Sequence, residues 1–106
     1  KNMFSKYNYV YAVYKERNFT KAAENLFISQ PSLSVAIKNI EKKLGAELFV
    51  RMGNTVELTE IGKEYIATVE KIMICEKECG RSFTDDEIIK SKTVGDLINK
   101  IQEKLN

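Results

Sequence analysis

Histidine and tryptophan are absent from this chain of 106 residues, which contains only one proline and two cysteines. Without histidine, acid–base catalysis near neutral pH lacks its usual side chain. The chain also lacks a glycine-rich phosphate loop, a metal-ligand cluster and a signal-peptide pattern. No apolar run approaches the roughly 18 residues that cross a membrane. We therefore expect no enzyme, no cofactor, no resident metal and no membrane partner.

The two cysteines, Cys75 and Cys79, lie four residues apart on one predicted helix. Two thiolates without a histidine cannot complete a zinc site within one chain. A disulfide between positions i and i+4 of an intact helix has poor geometry. Reduced, half-buried thiols are therefore the ordinary interpretation, and pairing across a dimer is the alternative.

Charge of both signs is abundant but unevenly distributed. Residues 1–59 contain nine Lys or Arg against five Asp or Glu, residues 60–80 contain three against five, and residues 81–106 contain five of each. The positive excess therefore lies in the first half, as expected for a nucleic-acid-binding surface. A solvated surface of mixed charge explains the same distribution.

The strongest local pattern lies between Ser29 and Gly45. Ser29 predicts a helix N-cap, Pro31 suits the first turn, and Gly45 suits the left-handed residue that ends a helix. Branched apolar residues recur at helical spacing and predict a buried face: Leu33, Ile37, Ile40 and Leu44. The opposite face and its start carry mainly hydroxyl, amide and ammonium groups, which suit DNA base edges and phosphates: Gln30, Ser32, Ser34, Val35, Lys38 and Lys42.

A short helix from Thr20 to about Phe27 is predicted just before this segment. Its small residues, Ala22 and Ala23, allow two helices to cross closely. Two helices joined this tightly are typical of a helix-turn-helix. The alternative is an ordinary helical pair whose polar face is only solvated.

Further elements flank this pair. A first helix from Phe4 to about Lys15 carries an aromatic stripe that we interpret as core rather than as a stacking surface. Two short strands, Glu47–Arg51 and Val56–Leu58, surround a turn with Gly and Asn. They predict a hairpin that must pack on the helices, as the wing of a winged helix does.

A long helix is predicted from Thr59 to about Cys79, with an apolar face too wide for one partner. We expect part of this face to pair with a second copy through some combination of Tyr65, Val69, Ile72 and Met73. Two alternatives remain: a helix packed only within its own chain, and a cover formed by the amphipathic tail helix that carries Leu97, Ile98, Ile101 and Leu105. An exposed remainder would form a larger patch than monomers usually carry.

The predicted fold is therefore mainly α: a winged helix-turn-helix of three helices and a two-stranded wing. A long linker helix and a C-terminal helical tail follow. We place the DNA-binding domain at residues 1–58, the linker or dimerisation helix at 59–80 and the short helical tail at 81–106.

Residues 7–79 resemble the N-terminal DNA-binding domain of the LysR-type transcriptional regulators. The motifs that carry the resemblance keep their spacing throughout: residues 19–26 (FTKAAENL), 29–34 (SQPSLS), 37–41 (IKNIE), 44–45 (LG), 48–51 (LFVR) and 58–62 (LTEIG). The resemblance implies a cytoplasmic bacterial homodimer, joined through the long helix, that binds the major groove of double-stranded DNA with residues 30–42.

The resemblance also implies roles for individual residues. Gln30, Ser32 and Ser34 match positions that contact bases and phosphates, and Arg51 matches the position where the wing meets the DNA backbone. The complete candidate DNA-binding set is Thr20, Gln30, Pro31, Ser32, Ser34, Val35, Lys38, Lys42, Arg51 and Asn54.

Two departures from the family limit what is implied. Family wings usually carry Arg or Lys near Asn54 and Thr55, and both residues are neutral here, so minor-groove readout is not carried over. Family members continue into an effector-binding domain that is missing from this sequence, so we expect no effector ligand.

The tail follows a different pattern. Residues 83–90 and 93–98 are similar to the last two helices of acyl carrier proteins, although the Asp-Ser-Leu attachment site has no counterpart. A chance amphipathic hairpin is the alternative. The leading hypothesis is a dimeric, sequence-specific DNA-binding transcriptional regulator. The rival is a protein-interaction module that uses the winged helix and the tail helix for assembly.

Overall fold

The structure, a computed structural model, describes residues 6–80. This part of the chain contains four helices and a two-stranded hairpin: α1 (Lys6–Glu16), α2 (Phe19–Leu26), α3 (Gln30–Leu44), β1 (Phe49–Met52), β2 (Thr55–Leu58) and α4 (Glu60–Cys79). The predicted mainly α, winged helix-turn-helix fold is confirmed. The predicted helix start at Phe4 and the tail at 81–106, with its similarity to acyl carrier proteins, lie outside the described residues.

Side-chain caps begin helices α2, α3 and α4. The side-chain oxygens of Asn18, Ser29 and Thr59 each accept a hydrogen bond from the backbone amide three residues later, at 2.8, 3.2 and 3.0 Å respectively. Each oxygen satisfies an amide that the first helical turn leaves without a helical partner. Helix α2 runs from Phe19 to Leu26 rather than from the predicted Thr20 to Phe27, because Asn18 provides its N-cap and Phe27 leaves the helix with a positive φ. The helix starts therefore follow from local chemistry.

The turn between α2 and α3 is very short. Phe27 ends α2 in a left-handed conformation with φ 59°, and the Ile28 amide donates to the Ala23 carbonyl at 3.1 Å. Ala22 and Ala23 are buried, so the small side chains let α2 pack closely against its neighbours. This arrangement is the predicted helix-turn-helix.

One apolar core joins the helices and the base of the hairpin. The predicted inner face of α3 is fully used: Leu33, Ile37, Ile40 and Leu44 are all buried. The α1 stripe also serves the core: Tyr7, Val10 and Val13 are buried, and Tyr11 and Tyr14 pack against the core half-buried. The Tyr7 hydroxyl donates to the Glu76 carboxylate, which joins α1 to the last third of α4. The core thus fixes which side of α3 faces outward.

The hairpin forms the wing. Strands β1 and β2 are antiparallel, and Phe49 pairs with Leu58 at its base. Gly53 takes a φ of 64° in the turn, where a residue with a Cβ would be strained. Strand β1 starts at Phe49 rather than at the predicted Glu47. The reason is that the Glu47 carbonyl accepts a hydrogen bond from the Thr59 hydroxyl at 2.6 Å, which is a contact with the cap of α4.

Two contacts hold the wing on the helical body. On one side, the Val56 amide donates to the Arg17 carbonyl at 3.2 Å, and the Arg17 guanidinium pairs with Glu57 at 3.2 Å. On the other side, Gly62 of α4 packs directly on the backbone of Leu48, where an added Cβ would overlap the Leu48 carbonyl oxygen. The wing is therefore placed by backbone contacts as well as by apolar packing.

The long helix α4 divides its apolar face between two uses. Tyr65 and Val69 are completely enclosed by their own chain, so their side chains offer no surface to a second copy, contrary to the prediction. Ile72 and Met73 are half-buried, and Ile74 is exposed. The apolar residues at the start of the helix belong to the core of the domain, and the apolar surface that remains partly exposed lies on its later turns. No helix within residues 6–80 has the length and apolar character needed to span a membrane.

Candidate nucleic-acid interface

The exposed side of α3 is the candidate interface. We name it the outer face and define it by six exposed residues: Pro31, Ser32, Val35, Lys38, Asn39 and Lys42. Because the other side of α3 is anchored in the core, the helix cannot rotate to hide these side chains. The half-buried Gln30 and Ser34 border the outer face at its N-terminal end. Every α3 residue in the candidate set therefore lies on or beside one surface.

Hydrogen bonds organise the first turn of α3 before any ligand is present. The Gln30 side-chain amide donates to the Ser34 hydroxyl at 2.8 Å, and the Ser29 hydroxyl donates to the Ser32 hydroxyl at 2.8 Å. An amide has two N–H groups and one carbonyl oxygen, so the bond to Ser34 uses only one of the three. Gln30 is thus held in place while it keeps the pattern that matches an adenine edge.

Positively charged groups lie at the start of the outer face and on its later turns. The N-terminus of α3 carries a partial positive charge of about half an electron from the helix dipole. Lys38 and Lys42 add exposed ammonium groups on the next turns. Helix N-termini and lysines are the usual partners of phosphate oxygens. The outer face therefore combines hydrogen-bonding groups for bases with charge for the DNA backbone.

Arg51 on the wing packs against an aromatic ring. Its guanidinium lies over the ring of Phe19, 4.5 Å from the ring centroid. Phe19 in turn meets Phe49 edge to face at a centroid distance of 6.1 Å. The ring stack attracts the cation and limits its movement. Phe19 was not in the predicted set, because its contact with a residue 32 positions away leaves no signal in local spacing.

A groove separates α3 from the wing and brings candidate residues together. Ser34 and Lys38 line its helical side, and Arg51 lines its wing side. Glu41 also borders the groove, but its carboxylate accepts a hydrogen bond from the Leu48 amide at 2.8 Å and so fixes the connection between α3 and β1. Thr20 and Asn54 are exposed on α2 and at the wing turn, and they do not line this groove.

The remaining predicted groups lie on α4. Ile72, Met73 and Cys75 are half-buried there, beside the exposed Ile74. The side chain of Cys79 lies outside the described part of the chain, so pairing of the two cysteines across a dimer stays a prediction. Among the described residues, no group of three or more His, Cys, Asp or Glu side chains is placed to hold a metal ion.

Comparison with protein-family models gives a match over residues 4–63 to the bacterial regulatory helix-turn-helix proteins of the lysR family. Among curated proteins, the chain is 51% identical over 69 residues to a probable RuBisCO transcriptional regulator of Phaeodactylum tricornutum. That alignment covers 64% of this chain and 22% of the relative. The chain is also 48% identical over 65 residues to the transcriptional regulator BudR of Klebsiella aerogenes, with 61% and 46% coverage.

Solved structures give the same result. The DNA-binding domain of CbnR, crystallised in complex with DNA, is 28% identical with a TM-score of 0.66, covering 71% of this chain and 86% of that chain. The BenM DNA-binding domain, in complex with a catB site, is 30% identical with a TM-score of 0.54, covering 78% and 100%. The chain thus spans almost the full length of these isolated domains, but only about a fifth of the first curated relative.

Proposed function

Because the chain belongs to the lysR family of bacterial regulatory helix-turn-helix proteins, we propose that it binds a specific double-stranded DNA site through the outer face of α3 and regulates transcription as a homodimer. The observation that carries the proposal is the outer face itself, on which hydrogen-bonding groups and lysines converge while the core holds α3 in one orientation. The proposed role is non-enzymatic and requires no cofactor. In a bacterial cell it would be performed in the cytoplasm, where the DNA lies.

The dimensions of α3 fit this role. The major groove of B-DNA is about 12 Å wide and accepts one helix, whose N-terminal residues reach the base edges. Gln30 and Ser34 stand at that end of α3, and their mutual hydrogen bond prepares them for a base or a nearby phosphate. Lys38 and Lys42 lie farther along the helix, where we assign them to phosphates and to attraction that is independent of sequence.

The wing supplies a second phosphate contact. Arg51 faces the same groove as Ser34 and Lys38, and its position over Phe19 leaves the guanidinium exposed. We assign Arg51 to the DNA backbone beside the major groove. Asn54 and Thr20 are assigned to the periphery of the interface, since neither lines the central groove. Because Asn54 and Thr55 in the wing turn are neutral, we assign the turn no charged contact with the minor groove.

The dimer is proposed from the later turns of α4. A symmetric pair would place two copies of α3 on one duplex, and the symmetry of the target would mirror that of the protein. Ile72, Met73 and the exposed Ile74 provide apolar surface that a second copy of α4 could cover. In a two-fold interface the same patch serves both copies. Effector binding is not assigned to this chain.

Salt dependence tests the proposal against a role in protein assembly alone. The complete chain is titrated onto duplexes recovered from a random pool, at 50 and 200 mM salt. Lys38, Lys42 and Arg51 give about six phosphate contacts in a dimer, so the affinity should fall by about 10³-fold between the two concentrations. An inverted repeat among the recovered duplexes supports both specificity and two-fold symmetry. Failure to recover any bound duplex from the pool at 50 mM salt supports the assembly role instead.

Paired lysine variants make the test local. Lys38→Ala removes a charge from the outer face and should lower the salt slope while it weakens all sequences alike. Lys15→Ala removes the same charge from α1, where Lys15 lies over the ring of Tyr11, and should leave the slope unchanged. Equal slopes for the two variants would remove Lys38 from the interface.

A further inference from the structure

Val35 lies in the middle of the outer face and, apart from Pro31 at the start of the helix, is its one apolar residue. Its exposed fraction is 59%, whereas the next two residues of α3, Ala36 and Ile37, are buried at 6% and 2%. It projects from the side of α3 that faces away from the core. Ser34 precedes it, and Lys38 and Asn39 follow on the next turn. A side chain of two methyl groups is thus surrounded by groups suited to base edges and phosphates.

Neither folding nor helix formation accounts for valine at this position. Most of its surface stays in water, so packing gains little, and valine is a poorer helix former than alanine, lysine or glutamine. A single exposed valine is common on protein surfaces. This one differs from an incidental valine by its position, because the proposed function places it against the floor of the major groove.

The floor of the major groove offers one kind of apolar group. The edges of all four base pairs present donors and acceptors there, and thymine alone adds a 5-methyl group. Amide and ammonium groups gain nothing from that methyl group, whereas a valine can bury it and exclude water from both surfaces. The chemistry of Val35 therefore matches thymine and no other standard base.

We propose that Val35 contacts the 5-methyl group of a thymine in the preferred DNA site and is a specificity-determining residue of the interface. This inference rests on the proposed DNA-binding function. Val35 lies five residues beyond Gln30, about 7.5 Å along the helix axis, so its thymine belongs to the same half-site as the base edge assigned to Gln30. A target site of this chain therefore includes a thymine on the strand that Val35 faces.

Replacing thymine by uracil tests the contact, because uracil differs from thymine only by lacking the 5-methyl group. The complete chain first selects duplexes from a random pool, and each dT of the recovered site is then replaced in turn by dU. We expect one dU replacement per half-site to weaken binding by about fourfold, which corresponds to about 0.8 kcal/mol. The other replacements should change the affinity by less than about twofold.

The matched variant is Val35→Ala, which removes the two methyl groups and keeps a good helix former, so the helix should stay intact. Because alanine keeps only the Cβ methyl group, this variant should discriminate between the dT and dU duplexes much less than the unchanged chain at the sensitive position. Lys38→Ala serves as the control on the same face: it should weaken both duplexes and keep the fourfold ratio between them.

The outcomes separate this inference from the proposed function. If the pool yields no bound duplex, both fail together. If the chain selects a site but tolerates dU at every position, DNA binding stands and the thymine contact is overturned. The contact is equally overturned if Val35→Ala discriminates between dT and dU as strongly as the unchanged chain. A fourfold effect that is reduced only in the Val35 variant supports it.

Discussion

Replacing Gly62 by Ala should destabilise the protein even though Gly62 lies in the first turn of helix α4, where alanine is normally preferred to glycine. A Cβ at this position would overlap the carbonyl oxygen of Leu48 and lie 3.0 Å from Cδ2 of Leu58. Better helix propensity contributes about 1 kcal/mol in favour of alanine. Overpacking typically costs about 1–3 kcal/mol, occasionally more. The overlapping atom belongs to the backbone and cannot move away by rotating a side chain, so we expect the upper part of that range.

The free energy of unfolding should therefore fall by about 1–2 kcal/mol. In a domain of this size, each kcal/mol lowers Tm by about 4–8 °C. Thermal and urea unfolding measure it. Ala67→Gly is the matched control: Ala67 is exposed on the same helix, so this change reports the helix propensity of α4 without any clash. If Gly62→Ala raised Tm, the close approach of α4 to the wing would be refuted.

Three further predictions concern binding and assembly. Gln30→Ala should cost about 1–3 kcal/mol on the selected duplex in a titration, and an equal loss on random DNA would contradict its assignment to a base edge. Phe19→Leu should remove the ring beneath Arg51 and weaken DNA binding about two- to fivefold. If Phe19→Leu weakened binding equally in a protein that already carries Arg51→Ala, the effect of the ring would not depend on Arg51. Ile72→Glu should give monomers in sedimentation with unchanged helix content, because a charge there is repeated across the two-fold axis. An unmodified chain already monomeric at high micromolar concentration would contradict the dimer.

Local chemistry made the helical framework predictable. Ser29, Gly45 and Thr59 act on backbone groups a few residues away, so their effect is contained in short stretches of sequence. The inner face of α3 was predictable for the same reason, because helical periodicity alone brings Leu33 and Ile37 to one side. Once the inner face of α3 is known, the residues on the opposite side of the helix form the outer face.

Contacts between distant parts of the chain were not predictable in this way. Periodicity marks the apolar stripe of α4 but does not tell which turns of the stripe are covered by the same chain. The packed domain encloses Tyr65 and Val69 and leaves Ile72 half-buried. The start of β1 likewise depended on a bond between Glu47 and Thr59, which are 12 residues apart.

The sequence by itself therefore determined where α3 and α4 begin and end and which side of α3 is apolar, since those features depend on neighbours one or two helical turns away. The tertiary structure decided how Arg51 is held over Phe19, how Gly62 meets the wing, and which part of α4 stays available to a partner. These features arise from packing in three dimensions, where the chain brings together residues whose separation in sequence carries no periodic signal.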